Sequence, residues 1–194
     1  KAFPGVTAGI VDTISYEEIT ERGKIGLIAF KPGWPAMMRM YWNNEEIYKS
    51  KFKNGWYIPG DRAYIDPEGY FWFVGRDDDI INTGGHLVSP FEVESALLEH
   101  PSVAESAVVS KPDFVNMEVV KAFVCLKPGY EPSDELELEI MNFIRKKLSP
   151  LAMPQDIEYV TNLPKTRSGK IMRRLLKAQE WNEEIGDTST LEDE

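Results

Sequence analysis

The chain has 194 residues, with 32 acidic and 22 basic side chains and a formal net charge of −10. That length holds one domain or two small ones, and 42% hydrophobic with 11% aromatic residues is enough for a core, which excludes wholesale disorder. So acidic a chain is a poor general binder of nucleic acid or anionic membrane, and no apolar run approaches the roughly 18–20 residues of a membrane span.

The chain begins at Lys1 and runs at once into Phe3-Pro4-Gly5, with no methionine and no signal peptide, so it reads as a piece of something longer. Val6–Val11 and Lys24–Phe30 are short apolar runs bounded by Gly, Pro and Asp, as strands are. Arg62–Ile65 and Tyr70–Val74 flank Asp66-Pro67-Glu68-Gly69, a hairpin turn in which Pro fixes φ and Gly accepts a positive φ. Trp56, Tyr57, Tyr64, Tyr70, Trp72 and Phe73 crowd this region and read as aromatic pairs on a sheet face.

From about residue 79 the pattern becomes mixed α and β, so the boundary is placed at a charged joint, Gly75–Asp79. Ser89-Pro90-Phe91-Glu92 opens a helix with an N-cap, a first-turn proline and a capping glutamate. Val103–Val109 and Val119–Leu126 read as strands, the second burying the single cysteine, Cys125. A lone buried cysteine forms no internal disulfide and fits a reducing compartment. Ser133-Asp134-Glu135 opens a second helix that ends on Arg145-Lys146-Lys147, acid first and base last, as the helix dipole favours. Ile157–Val160 is a short strand, Ile171–Trp181 a last helix, and residues 183–194 an acidic, turn-rich tail expected to fray.

Three segments carry candidate chemistry. Asp61, in Gly60-Asp61-Arg62, is either a turn-capping carboxylate or an acceptor for a vicinal diol such as a ribose. Asp77-Asp78-Asp79 invites a hard metal, but neighbours on an extended chain point to opposite faces and no EF-hand spacing exists. Two histidines and no CxxC or HExxH complete the expectation of no metal site. Gly84-Gly85 permits close approach to the backbone. Lys165, Arg167, Lys170, Arg173, Arg174 and Lys177 make a basic run without an acid, either an anion-facing surface or a solvated helix face. It is not a P-loop, since the first glycine of that motif is missing and Ile171 replaces Ser/Thr.

In this order and spacing the segments resemble the C-terminal part of the adenylate-forming enzymes, and within them the AMP-forming acyl-CoA synthetases. Gly60-Asp61-Arg62, Asp66-Pro67-Glu68-Gly69-Tyr70, Gly75-Arg76-Asp77-Asp78-Asp79 and Pro90-Phe91-Glu92-Val93-Glu94-Ser95-Ala96-Leu97 resemble medium-chain members. Ser149-Pro150-Leu151-Ala152-Met153-Pro154 through Lys170-Ile171-Met172-Arg173-Arg174 is more similar to acetyl-type members. The resemblance runs to about Trp181.

The resemblance implies an α+β fold, with a β-rich end of the N-terminal, AMP-binding domain over residues 1–77 and a mobile α+β C-terminal domain over 78–182. It implies that Asp61 holds the ribose of ATP, that Arg76 contacts the nucleotide and that Asp78 is the hinge. It implies Lys170 as the adenylation lysine, Gly84 and Gly85 along the pantetheine channel, and Arg145 near the CoA 3′-phosphate. Leu87 stands where many members carry a basic residue. The implied activity joins a short- or medium-chain carboxylic acid to CoA through an acyl-adenylate, using ATP, CoA and Mg that arrives with ATP, its ligands expected outside these residues. The alternatives are an adenylation domain that loads a carrier protein and a non-catalytic anion-binding module. The resemblance further implies packing of residues 1–77 on an N-terminal domain absent from this sequence and inactivity of this piece alone, and a cytoplasmic location is expected. Because Lys170 must be cationic and reachable, acylation of its amine would silence adenylation, so control by a lysine acetyltransferase and deacetylase is expected.

The chemistry suits these roles. Adenylation brings a carboxylate against a phosphate, and a cation touching both offsets the repulsion and stabilises the developing charge. A lysine on a moving domain is present for that step and absent for the next.

Overall fold

Apolar runs cut by glycine and proline turn the first third of the chain into sheet. Among the described residues, 1–192 of the computed structural model, the chain divides into two units, Lys1–Asp78 and Asp79–Glu194. The first holds β1 (Ala8–Val11), β2 (Gly26–Phe30), α1 (Glu45–Ser50), β3 (Phe52–Lys53), β4 (Trp56–Tyr57), β5 (Asp61–Ile65) and β6 (Phe71–Arg76). Its strands form one antiparallel sheet in which β2 is paired with β1, β4 and β5, and β5 with β6. Asp66 fastens the β5–β6 turn by accepting from the Tyr70 N–H (2.8 Å) and the Trp72 indole (2.7 Å). Those two bonds hold the Asp66 carboxyl below its ordinary pKa, the indole contributing most. Val11, Leu27, Ala29, Trp56 and Ile58 make a small core. Of the aromatics read as face pairs, Trp56 is buried and Tyr64 stacks on Trp72, while Trp72 and Phe73 stay about half exposed. Helix α1 has no counterpart among the elements expected from sequence. Its N-cap, Asn44, accepts from the Ile47 N–H (3.1 Å), a signal masked by the helix's shortness and lack of a buried face.

The second unit holds β7 (Ile81–Thr83), β8 (His86–Val88), α2 (Pro90–Leu97), β9 (Val103–Asp113), β10 (Met117–Leu126), α3 (Asp134–Lys147), β11 (Asp156–Tyr159) and α4 (Arg173–Trp181). Strand β10 is the spine. Strand β9 pairs antiparallel along its length, and β11, parallel, and β7, antiparallel, pair with different parts of it. The near-continuous apolar character of β10 follows from burial on both faces. Val120, Ala122 and Val124 point into a core shared with Val93 and Leu97 of α2 and Ile140 and Ile144 of α3. Phe123 and Cys125, one residue out of phase, point into a second core with Leu163 and Leu176. Burial raises the pKa of the Cys125 thiol, as expected of a packing residue.

Both expected N-caps are present: the Ser89 hydroxyl accepts from the Glu92 N–H (3.4 Å) and the Ser133 hydroxyl from the Leu136 N–H (3.2 Å). The last helix begins at Arg173 rather than Ile171, because Ile171 is bridged to Lys165 and the Met172 N–H donates to the Pro164 carbonyl (2.8 Å). Residues 183–194, expected to fray, run back along the Lys165–Lys170 segment as far as Glu192, and Asp193 and Glu194 lie outside the described residues.

One buried titratable group gives a pH prediction. His100 is 3% exposed, with Nδ1 2.8 Å from the Ser102 hydroxyl and its ring edge-on to Phe143. Burial, opposed by Glu139, holds its pKa below the ordinary 6.5. The unfolded chain therefore takes the proton more readily, so this contribution to stability is intact above about pH 6.5 and is lost as pH falls through that value. Denaturation midpoints measured from pH 7.5 to 5.5 should decline, and His100→Gln should flatten the decline. An equal slope in the variant would assign it to other groups.

Candidate functional site

In the first unit, the β5–β6 register sets Asp61 directly opposite Arg76. The Arg76 guanidinium lies 3.4 Å from Asp61 Oδ1 and grips Asp78 with two bonds of 3.0 Å. Its hydrogen bond holds the Asp78 carboxyl below the usual carboxylate range, against some desolvation. Asp77 is engaged by Arg62 at 2.6 Å. Asp77 and Asp78 are thus each paired with an arginine. Among the described residues no group of three or more His, Cys, Asp or Glu side chains could hold a metal. Asp61 and Asp78 are brought onto one arginine, leaving a half-exposed cluster of carboxylate and guanidinium suited to a sugar hydroxyl and an anion.

The second unit carries the other candidates. Gly84 and Gly85 form the two-residue turn of the β7–β8 hairpin, with Thr83 paired to His86 and φ values of +56° and +85°. A Gly-Gly pair between short strands is the signal for this turn. A side chain at Gly85 would meet nothing within 4 Å, so the backbone conformation, not crowding, calls for glycine there. The Gly84 N–H donates to the Asn116 carbonyl (2.8 Å), which sets the turn beside the tip of the β9–β10 hairpin. That tip exposes Phe114, Val115 and Met117, and β8 exposes Leu87.

Lys170 sits on a hairpin of its own. Lys165 is bridged to Ile171, the Thr166 N–H donates to the Lys170 carbonyl (2.8 Å), and the Lys170 N–H donates to the Thr166 hydroxyl (3.1 Å). The Lys170 side chain is exposed and makes no ion pair among the described residues. The basic run around it is divided in role. Lys165 is tied to Glu105 at 2.7 Å, which raises its pKa. Arg173 is held bidentate by Glu94 at 2.7 and 2.5 Å. Arg174 donates to the backbone carbonyls of Ile185 and Asp187. Neither a single anion-facing surface nor a solvated helix face describes the run. Arg145 stands exposed in the last turn of α3, and among the described residues no ion pair ties it to the glycine turn or the Lys170 hairpin.

Sequence reasoning passed over the two buried charges that anchor α4. Glu94 is a buried acid on the core-facing stripe of α2, and its carboxylate also accepts from the Val108 N–H (2.8 Å). Lys121 lies inside the apolar run of β10 and reaches Glu158 (2.7 Å) and Glu180 of α4 (2.6 Å). Burial works against its charge, but the carboxylates around it hold its pKa above the ordinary value. In both places a charge at an apolar position was the available signal.

The AMP-binding enzyme C-terminal domain matches residues 92–170. The chain is 55% identical over 194 residues to an acetyl-coenzyme A synthetase of Bacillus subtilis, covering 100% of this chain and 34% of that protein. It is 48% identical over 196 residues to one of Pyrobaculum aerophilum, covering 99% and 29%. It thus spans about a third of the length of the curated relatives it matches. Among solved structures, ATP-bound MatB from Rhodopseudomonas palustris is similar with a TM-score of 0.82 and 32% identity, covering 92% of this chain and 34% of that one. The anthranilate CoA ligase AuaEII in complex with anthranoyl-AMP is similar at 0.80 and 37%, covering 91% and 34%. The domain match and the whole-chain identity converge: residues 92–170 carry the C-terminal domain of the AMP-binding enzymes, within a chain similar along its whole length to part of an acetyl-coenzyme A synthetase.

Proposed function

We propose that this chain is the C-terminal portion of an acyl-CoA synthetase, in which a short-chain carboxylic acid reacts with ATP to give an acyl-adenylate and pyrophosphate. CoA then takes the acyl group and releases AMP. The observation that carries the reading is 55% identity along the whole chain to a protein named acetyl-coenzyme A synthetase; it also makes acetate the first acid to test. Asp61 accepts from the ribose hydroxyls, Arg76 contacts the nucleotide, and Mg enters with ATP. Lys170, exposed and unpaired with any described carboxylate, bridges the two anions of the adenylation step.

The hinge reading of Asp78 is supported by the division of the chain at Asp78/Asp79. The Gly84–Gly85 turn, open at Gly85, suits a passage for the pantetheine arm, and Arg145 is assigned to the CoA 3′-phosphate. The buried free thiol of Cys125 suits a reducing compartment such as the cytoplasm. No helix among the described residues is long and apolar enough to cross a membrane.

The test uses the full-length protein that contains this chain. Acetate-dependent exchange of pyrophosphate into ATP, followed by acetyl-CoA formation, is the expected result. Transfer to a phosphopantetheinylated carrier protein but not to CoA would assign it to carrier loading. Anion binding without any exchange would leave only a binding module.

A further inference from the structure

Residues 185–192 hold the Lys170 hairpin from outside. Thr166 is bridged antiparallel to Leu191, the Arg167 N–H donates to the Thr190 carbonyl (3.2 Å), and the Glu192 N–H donates to the Lys165 carbonyl (2.9 Å). The segment is in turn fixed at its start. Arg174, in the first turn of α4, donates to the carbonyls of Ile185 and Asp187. Between them lies Gly186 at φ +70°, where a Cβ would come within 2.9 Å of the Arg174 guanidinium. Asp187 closes the following turn by accepting from the Ser189 N–H (2.9 Å) and hydroxyl (3.1 Å). Leu191 reaches in with Leu163 and Leu176 around a cavity of about 650 Å³.

We propose that Ile185–Glu192 is a clasp that positions Lys170 for the adenylation step; the inference rests on the adenylation role proposed for that lysine. Without the clasp, Lys170 stands on an exposed loop joined to its unit by the short Lys165–Ile171 pairing. Such loops open locally at low free-energy cost. A cation that must touch two reacting anions loses most of its effect when displaced by about 1 Å. The clasp adds a strand along Thr166, on the arm of the hairpin opposite Lys170, and narrows the positions the ammonium can take. Its residues are positioning residues. The thioester step does not use Lys170 and should be indifferent to them.

The test isolates one backbone bond in the full-length enzyme. Glu192→Pro removes the N–H that donates to Lys165, whereas Glu192→Ala keeps it, and Gly186→Ala disrupts the fixed start of the segment. Adenylation, read by acetate-dependent pyrophosphate exchange, should fall about tenfold in E192P and G186A through kcat rather than the KM for ATP. Thioester formation from preformed acetyl-adenylate should stay within about twofold of wild type, and E192A should match wild type in both. Amide exchange at Arg167 should accelerate in E192P alone of the two Glu192 variants, a readout independent of catalysis. Equal adenylation by wild type and E192P, or an equal fall in both half-reactions, overturns the clasp. A wild type that forms no acyl-adenylate brings down the proposed function itself, so the two failures are distinct.

Discussion

Lys170→Ala in the full-length protein should lower acetate-dependent pyrophosphate exchange by about 10²–10³-fold, the usual effect of removing one donor that stabilises transition-state charge. Acetyl-CoA formation from preformed acetyl-adenylate should persist. The reason is geometric as well as electrostatic. Lys165 and Arg173 are consumed by Glu105 and Glu94, and Arg174 by backbone carbonyls, so these neighbours are poorly placed to replace the lost ammonium. Lys170 itself is exposed, with no ion pair among the described residues to be broken by the substitution, so the unfolding free energy should hold within about 0.5 kcal/mol. Acylating the amine removes the same charge, so protein acetylated at Lys170 should show the same split between half-reactions. Unchanged exchange in the variant would remove Lys170 from the chemistry. An equal loss in both steps would make it structural.

Sequence alone carried the candidate site unevenly, for physical reasons. Asp61, Arg76 and Asp78 stood out as residue types, but their convergence depends on the β5–β6 register, which sets Asp61 across from Arg76; spacing along one strand does not report the partner strand. The N-caps at Ser89 and Ser133 were legible because capping is local. The alternation that sends Val124 and Cys125 to opposite cores was hidden, since a strand covered on both faces shows no polar side. The acidic tail misled through composition. Its contacts with the Lys170 hairpin are mostly backbone hydrogen bonds, which charge counting cannot register. Glu94 and Lys121 were passed over because apolar periodicity was read as a pattern, when the exceptions within the pattern mark the ties to α4.

Glu94→Ala should destabilise the protein by about 3–5 kcal/mol, because removing one member of a buried pair strands the other. Glu94 Oε1 receives Arg173 Nε and the Val108 N–H, and Oε2 receives Arg173 Nη2, so the substitution orphans three donors and leaves a cavity beneath α2. The Glu94 side chain is 8% exposed and that of Arg173 28%, so water replaces the lost carboxylate only partly. Glu94→Gln, which retains an acceptor for Val108 but not the charge, should cost less. Glu94→Leu combined with Arg173→Met removes both charges and should recover a large part of the loss, since a buried ion pair is often matched by apolar residues of similar volume. Denaturant titration of the four proteins, with slopes compared as well as midpoints, reads these differences. A cost below about 1 kcal/mol for Glu94→Ala would mean that the pair is open to water in solution. The same comparison bears on Lys170, since Arg173 begins the helix three residues after it. If the double variant recovers stability but not adenylation, the ion pair's use lies in fixing where α4 begins, not in holding the domain together.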